Sequence, residues 1–541
     1  MCQAAISLPR TDGTETNTSG IDNGMSLPLP QNRRSILQAG LAATGSLLLP
    51  GCQSTPDQQH LKEIYDPLAS AHGPDQNPVI LLPGILGSRL ESSDGRTVWG
   101  AFDGDYADPE EPDGAPLIGM PMSPGTPLQN LRDNVRATEV LASLELNILS
   151  VPIMTQAYAG VLGTLGIGGY RDASLEYVDY GGDHFTCFQF PYDWRRDNAE
   201  NAVELHKFIL DRREFVREQR HKRFGGDHPD VKFDIVAHSM GGLITRYFLR
   251  YGGVPLPDDG GIPEVTWAGM QHVDRVILVG TPNAGSALSF KSLVDGEKFA
   301  PILPRYSSAL LSTLPSIYQL LPRARHGAVQ VDYENGHTHA VNPLDPDLWC
   351  QMQWGLMDPD EDETLQFLLP NINSRQQRLS IAKDHLAKCL QKAQQFQAAL
   401  DQPVEAPEGL HLELIAGDSE PTPSVARFDQ RRRKLELMGE RPGDGTVVRT
   451  STLLDERRPN ERSQRLKTPI PWTRSTFISA NHLGLTADPT FTDNVLYTLL
   501  EEPRKPHAPR RQAVPPVPDD MMHTPAAPPP IPPETDAETS S

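Results

Sequence analysis

From residue 79 onward the apolar positions follow two rhythms in turn, short unbroken runs and runs at helical spacing. Val79-Ile80-Leu81-Leu82 is unbroken and closed by Pro83-Gly84, the pattern of a strand buried on both faces and ended by a turn. Phe185 to Phe190 alternates as a strand and leads through Pro191-Tyr192-Asp193-Trp194-Arg195 to a predicted helix opened by Asp197 and Glu200 in capping-box spacing. Within it Ala202, Leu205, Ile209 and Val216 make one apolar stripe that can pack on a sheet. Val231 to Val236 predicts the next strand, Gly241 to Tyr251 a helix and Val276 to Val279 a further strand, with Leu412 to Ile415 and Thr476 to Ile478 strand-like beyond. Strand and helix in alternation predict an α/β fold with a mostly parallel, doubly wound sheet.

Two stretches break the rhythm: about 100–150, rich in Pro, Gly and Asp, and about 290–410, with a long polar helix predicted from Arg375 to Leu400. Both read as insertions, and insertions between sheet strands usually lie over the strand ends, so a cap or lid is expected. The folded body is expected over 78–500. Beyond 501 the Pro-rich, charged tail cannot bury enough apolar surface to fold.

The first 51 residues read as an address. Asn32-Arg33-Arg34-Ser35-Ile36-Leu37 precedes a weakly apolar run and resembles a twin-arginine export signal; Leu49-Pro50-Gly51-Cys52 resembles the lipobox of a bacterial lipoprotein. Cys52 would then be lipidated, 52–77 would be a flexible tether, and the protein would sit in a bacterial envelope on its anchor. No other segment has the apolar length of a membrane span. Of the remaining cysteines, Cys187, Cys350 and Cys389 are an odd set without metal-ligand spacing.

At 541 residues the chain can enclose a core and a pocket, and its formal charge of −21 argues against nucleic acid as a partner. The basic run Arg431-Arg432-Arg433-Lys434 reads as a solvated helix face. His337 and His339 lie near Asp332 and Glu334, but neither H-E-x-x-H nor a calcium loop appears, so no metal and no other cofactor is expected.

Acyl transfer from a serine needs an exposed hydroxyl, a histidine to take its proton and a carboxylate to orient that histidine. Ser239, in Ala237-His238-Ser239-Met240-Gly241-Gly242, falls between a predicted strand and a predicted helix, as in the nucleophile elbow of α/β-hydrolases with alanine for the first glycine. Small neighbours are needed because that turn brings strand and helix backbones together. The Met240 N–H at the helix start is one expected oxyanion donor, and the Ile85 N–H in Pro83-Gly84-Ile85-Leu86-Gly87-Ser88 is the other. For the carboxylate, Asp444 in Gly443-Asp444-Gly445-Thr446-Val447 competes with Asp418 and is preferred for its flanking glycines, which suit a flexible loop. For the base, His482 in Asn481-His482-Leu483-Gly484 follows a strand, whereas His507 and His523 fall in the tail.

Taken in order, the Pro83 to Ser88 loop, Pro191-Tyr192-Asp193-Trp194-Arg195, the Ser239 turn, Gly280-Thr281-Pro282-x-x-Gly285-Ser286, Gly443 to Val447 and His482-Leu483-Gly484 resemble the lecithin:cholesterol acyltransferase family, which includes phospholipid:diacylglycerol acyltransferases and lysosomal phospholipase A2. The resemblance spans about residues 78–500. It implies Ser239, Asp444 and His482 as a triad, backbone donors at Ile85 and Met240, a lid over an acyl-chain groove, and glycerolipid esters cleaved through an acyl-enzyme without metal. The acyl group would pass to a lipid alcohol or to water. The stretches 99–156 and 290–410 match no pattern of the family, and these would select donor and acceptor. A lipase or carboxylesterase of simpler esters and a non-catalytic lipid-binding lipoprotein are the alternatives.

Overall fold

The computed structural model describes residues 64–65, 67–70, 73–100, 106–141, 145–148, 151–154, 156–174, 184–299, 303–457 and 465–504. The chain divides into Met1–Thr55 and Pro56–Ser541; the expected export signal, Cys52 and the tail beyond 504 lie outside the described residues.

Six strands form the central sheet: β1 (Val79–Leu82), β2 (Cys187–Gln189), β3 (Phe233–His238), β4 (Val273–Val279), β5 (His411–Gly417) and β6 (Arg474–Ile478). Their order is β2-β1-β3-β4-β5-β6 and every pairing is parallel. With helices between the strands, this is an α/β-hydrolase fold. β1, β3 and β5 are buried along their whole length, as strands of a parallel sheet covered on both faces are, although β3 carries Asp234 and β5 carries Glu413. The order reverses between β1 and β3, so the loops after these two strands part above a crevice, where open α/β sheets hold their ligands.

The helices are α1 (Gln156–Ile167), α2 (Asn198–Phe224), α3 (Met240–Tyr251), α4 (Ala287–Asp295), α5 (Arg375–Asp401) and α6 (Pro489–Leu496). Asp197 caps α2 by accepting from the Ala199 N–H; Glu200 does not close the capping box but accepts from Arg196. No described helix is long and apolar enough to cross a membrane.

Three expectations are corrected. α5, polar in sequence, is largely buried: Ile381, Leu386, Cys389, Leu390 and Phe396 are fully or almost fully buried, and so are the polar His385, Gln395 and Gln397. Arg431 to Lys434 is no helix face; it turns between the antiparallel strands Glu420–Asp429 and Lys434–Gly443, with Arg433 at φ +49°. These two strands extend a separate four-stranded sheet with Val329–Asp332 and Thr338–Ala340. Lastly, the expected tether is docked before residue 77. Tyr65 is buried and its hydroxyl donates to Asp493 Oδ1 at 3.0 Å.

The two insertions meet each other. Ser88–Ser92, Thr97–Trp99 and Val135–Val140 form an antiparallel sheet, and the Met120 N–H beyond it donates to Thr313 Oγ1. Phe299, Leu311, Ile317 and Leu320 of the second insertion wall an apolar chamber with Leu86 and Trp194.

Candidate active site

Ser239 stands on the turn from β3 to α3 at φ +51°, ψ −122°, a strained conformation for a residue with a side chain. The turn exists because its neighbours have no bulk: a Cβ on Gly241 would lie 2.4 Å from the Pro83 carbonyl oxygen, and one on Gly242 2.0 Å from Thr281 Oγ1. His482 Nε2 lies 3.0 Å from Ser239 Oγ, and His482 Nδ1–H donates to Asp444 Oδ2 at 2.7 Å. Asp444 is fully buried. Its other oxygen accepts the N–H groups of Thr446 (3.0 Å) and Val447 (2.7 Å), and its carbonyl accepts the His482 N–H at 2.7 Å. The Gly443–Val447 segment is thus a tight turn, not a flexible loop, closed by Asp444 on its own backbone. Ser286 of the Gly280–Ser286 block fastens it by donating to the Thr446 carbonyl. Asp418, the competing carboxylate, pairs with Arg449 at 3.6 Å instead.

The loop after β1 faces Ser239 closely: a Cβ on Gly84 would stand 2.9 Å from Ser239 Cβ. Among the described residues neither the Ile85 N–H nor the Met240 N–H has a hydrogen-bond partner. The Pro191–Arg195 block braces this loop. Tyr192 donates its hydroxyl to the Pro83 carbonyl at 2.9 Å, and Trp194 donates Nε1–H to the Ser88 carbonyl at 3.1 Å. Arg195, fully buried, is held by Asp193 and Asp133 at 2.8 Å each; burial alone would lower its pKa, but the two carboxylates raise it.

A cavity of about 470 Å³ opens onto Ser239 and His482, with Ile85, Pro282, Leu320, Val447 and Leu483 in its wall. It shares Ile85, Ser289 and Leu320 with the apolar chamber of about 380 Å³ behind it. His482 is placed to take the Ser239 proton, and Asp444 to steady the imidazolium that results.

Two side chains against this site gave no signal of their own in the sequence. His238 was visible only as a letter of the Ser239 motif, and Tyr158 on α1 carried no motif. The earlier metal candidates His337 and His339 stand on an exposed hairpin with ring centroids 6.1 Å apart. His411, Glu413 and Glu502 approach one another at the opposite end of β5 from the site, but Arg474 already holds Glu413 at 2.7 Å.

Residues 174–355 match the family described as lecithin:cholesterol acyltransferase. That segment includes the Pro191–Arg195 block, the Ser239 turn and the Gly280–Ser286 block; Ile85, Asp444 and His482 lie outside it. The phospholipid–sterol O-acyltransferase of Arabidopsis thaliana is 28% identical over 153 residues, which are 28% of this chain and 22% of that protein, so the match spans about a fifth of the relative's length. Among solved structures, a chain of the Tle4–Tli4 complex superposes with a TM-score of 0.52 at 15% identity, over 78% of this chain and 98% of that one. Lipase 1 from Pelosinus fermentans, at 13% identity over 79% of this chain and 99% of that one, superposes with a TM-score of 0.29, too loosely to add to this. The chain thus has an α/β-hydrolase fold, and its residues 174–355 are similar to the lecithin:cholesterol acyltransferase family.

Proposed function

We propose that the protein cleaves lipid esters through an acyl-enzyme at Ser239 and passes the acyl group to a lipid alcohol or to water, as an O-acyltransferase or phospholipase. The observation that carries this reading is the hydrogen-bonded series Ser239, His482, Asp444 opening into an apolar cavity with a second apolar chamber behind it. Ser239 Oγ attacks the ester carbonyl while His482 takes its proton, and the oxyanion is met by the N–H groups of Ile85 and Met240. The C–O bond to the leaving alcohol breaks as His482 returns that proton to it. A second alcohol or water then repeats the sequence in reverse and frees Ser239.

A fluorophosphonate is expected to label Ser239, and labelling is lost in Ser239→Ala; wild-type protein that stays unlabelled would sink the acyl-enzyme. Incubation with phosphatidylcholine vesicles containing a sterol or diacylglycerol separates the two outcomes of deacylation. A new lipid ester supports transfer, and free fatty acid alone removes the transferase half of the proposal. We extend the reading to location through the Cys52 motif: Cys52→Ser should release the protein from membranes, and retention would contradict anchoring there.

A further inference from the structure

Behind Ser239 a second hydrogen-bond series runs between the two loops that serve it. The Gly84 N–H donates to the Tyr158 hydroxyl oxygen at 2.7 Å. That hydroxyl lies 3.2 Å from His238 Nδ1, and His238 Nε2 lies 3.0 Å from the His482 carbonyl oxygen. Only one proton arrangement satisfies all of these. A carbonyl can only accept, so Nε2 carries the hydrogen; in a neutral ring Nδ1 then accepts the phenol proton, and the phenol oxygen accepts from Gly84. The ring is neutral because burial, reinforced by the neighbouring His482, pushes its pKa down to about 3. Burial likewise raises the Tyr158 phenol, so it keeps its proton.

This series removes a specific freedom. Position 84 must be glycine for lack of room beside Ser239, yet glycine is the residue whose backbone turns most easily. Its N–H is fixed by Tyr158 and its carbonyl by the Gly87 N–H at 3.1 Å. Because the trans peptide points N–H opposite to C=O, fixing the Gly84 carbonyl also aims the Ile85 N–H. At the other end His482 is held by its carbonyl through His238, by its N–H through Asp444 and by its ring.

We propose that Tyr158 and His238 are positioning residues that tie the loop bearing the Ile85 donor to the loop bearing His482, so that donor and base keep one geometry about Ser239. This rests on the acyl-enzyme reading above. Tyr158→Phe keeps the ring and removes the hydroxyl, leaving the Gly84 N–H and His238 Nδ1 without partners. With a p-nitrophenyl ester, kcat is expected to fall about 10- to 100-fold with KM held within about two-fold, since a misaimed donor weakens transition-state rather than ground-state binding. Wild-type kcat in Tyr158→Phe overturns the proposal. His238→Gln, whose amide can still donate to the His482 carbonyl, should retain more kcat than His238→Ala, and it carries the test if Tyr158→Phe does not fold. Equal losses in the two overturn the link to His482. Fluorophosphonate labelling in parallel keeps the failures apart: an unlabelled wild type brings down the acyl-enzyme itself, whereas a labelled Tyr158→Phe at wild-type rate brings down only the positioning role.

Discussion

A methyl group at position 84 would have to share space with Ser239 Cβ, 2.9 Å away, and with His238 Nδ1, 3.2 Å away. Gly84→Ala is therefore expected to lower kcat by about 10² or more by pushing back the loop that offers the Ile85 N–H, read in ester turnover with the melting temperature as control. The choice between carboxylates is testable in the same assay. Asp444→Asn should cost about 10³- to 10⁴-fold in kcat, because an amide cannot hold the His482 tautomer that accepts from serine. Asp418→Asn should stay near wild type, since that side chain faces Arg449. At this scale the sequence spoke clearly where chemistry forces residue type: small residues about Ser239, a late aspartate, a late histidine after a strand. It was silent on Tyr158, because a tyrosine on a helix looks like any core aromatic until the fold carries it to Gly84.

The helix that begins at Ser239 and the long helix of the second insertion are fastened end to end. Arg246 donates to the Leu400 carbonyl at 2.9 Å and to Asn283 Oδ1 at 2.9 Å, and Arg250 donates to the carbonyls of Ala399 and Gln402. Guanidinium groups at a helix C-terminus satisfy carbonyls that the helix itself cannot, and meet its negative end. Burial lowers the Arg246 pKa to about 9, leaving it charged at neutral pH. Arg246→Met should thus orphan two buried acceptors at about 1–3 kcal/mol each, seen as a lower urea midpoint; an unchanged midpoint would show the clamp to be dispensable. The strand and helix elements of the sheet were legible because their apolar periods are long and regular. The Glu420–Gly443 hairpin was not, since its strands are half exposed and polar and its first strand takes its partner, Val329–Asp332, from 97 positions away (Asp332 to Asp429).

At the scale of the whole molecule, three buried histidines contribute to the response to acid. Burial, with neighbouring positive charge, holds His272 and His385 down to about 4 and His238 to about 3, from an ordinary value of 6.5. Each ring is neutral when folded and takes a proton once released. At these three positions the unfolded chain therefore binds more protons than the folded one between about pH 4 and 6.5. Stability is full above that window and falls as pH drops through it, by at most about 1.4 kcal/mol per pH unit for each proton. Urea unfolding from pH 7 to pH 4.5 should show this decline, and His385→Gln, away from Ser239 with its Nε2–H on the Thr313 carbonyl, should make it shallower. An equal slope in the variant would remove His385 from the explanation.

The sequence by itself determined the alternating α/β elements and the turn that carries Ser239, because these are enforced locally by periodicity and by lack of room, while the order serine, carboxylate, histidine came from the resemblance to a known family. Only the tertiary structure decided that Asp444 meets His482 while Asp418 meets Arg449, that the Pro191–Arg195 block braces the loop of Ile85, and that Tyr158 and His238 join the two loops. These pairings span from 31 positions of the chain, between Asp418 and Arg449, to 244, between His238 and His482, and no local pattern records which distant partner a polar side chain will find once the sheet has brought its strand ends together.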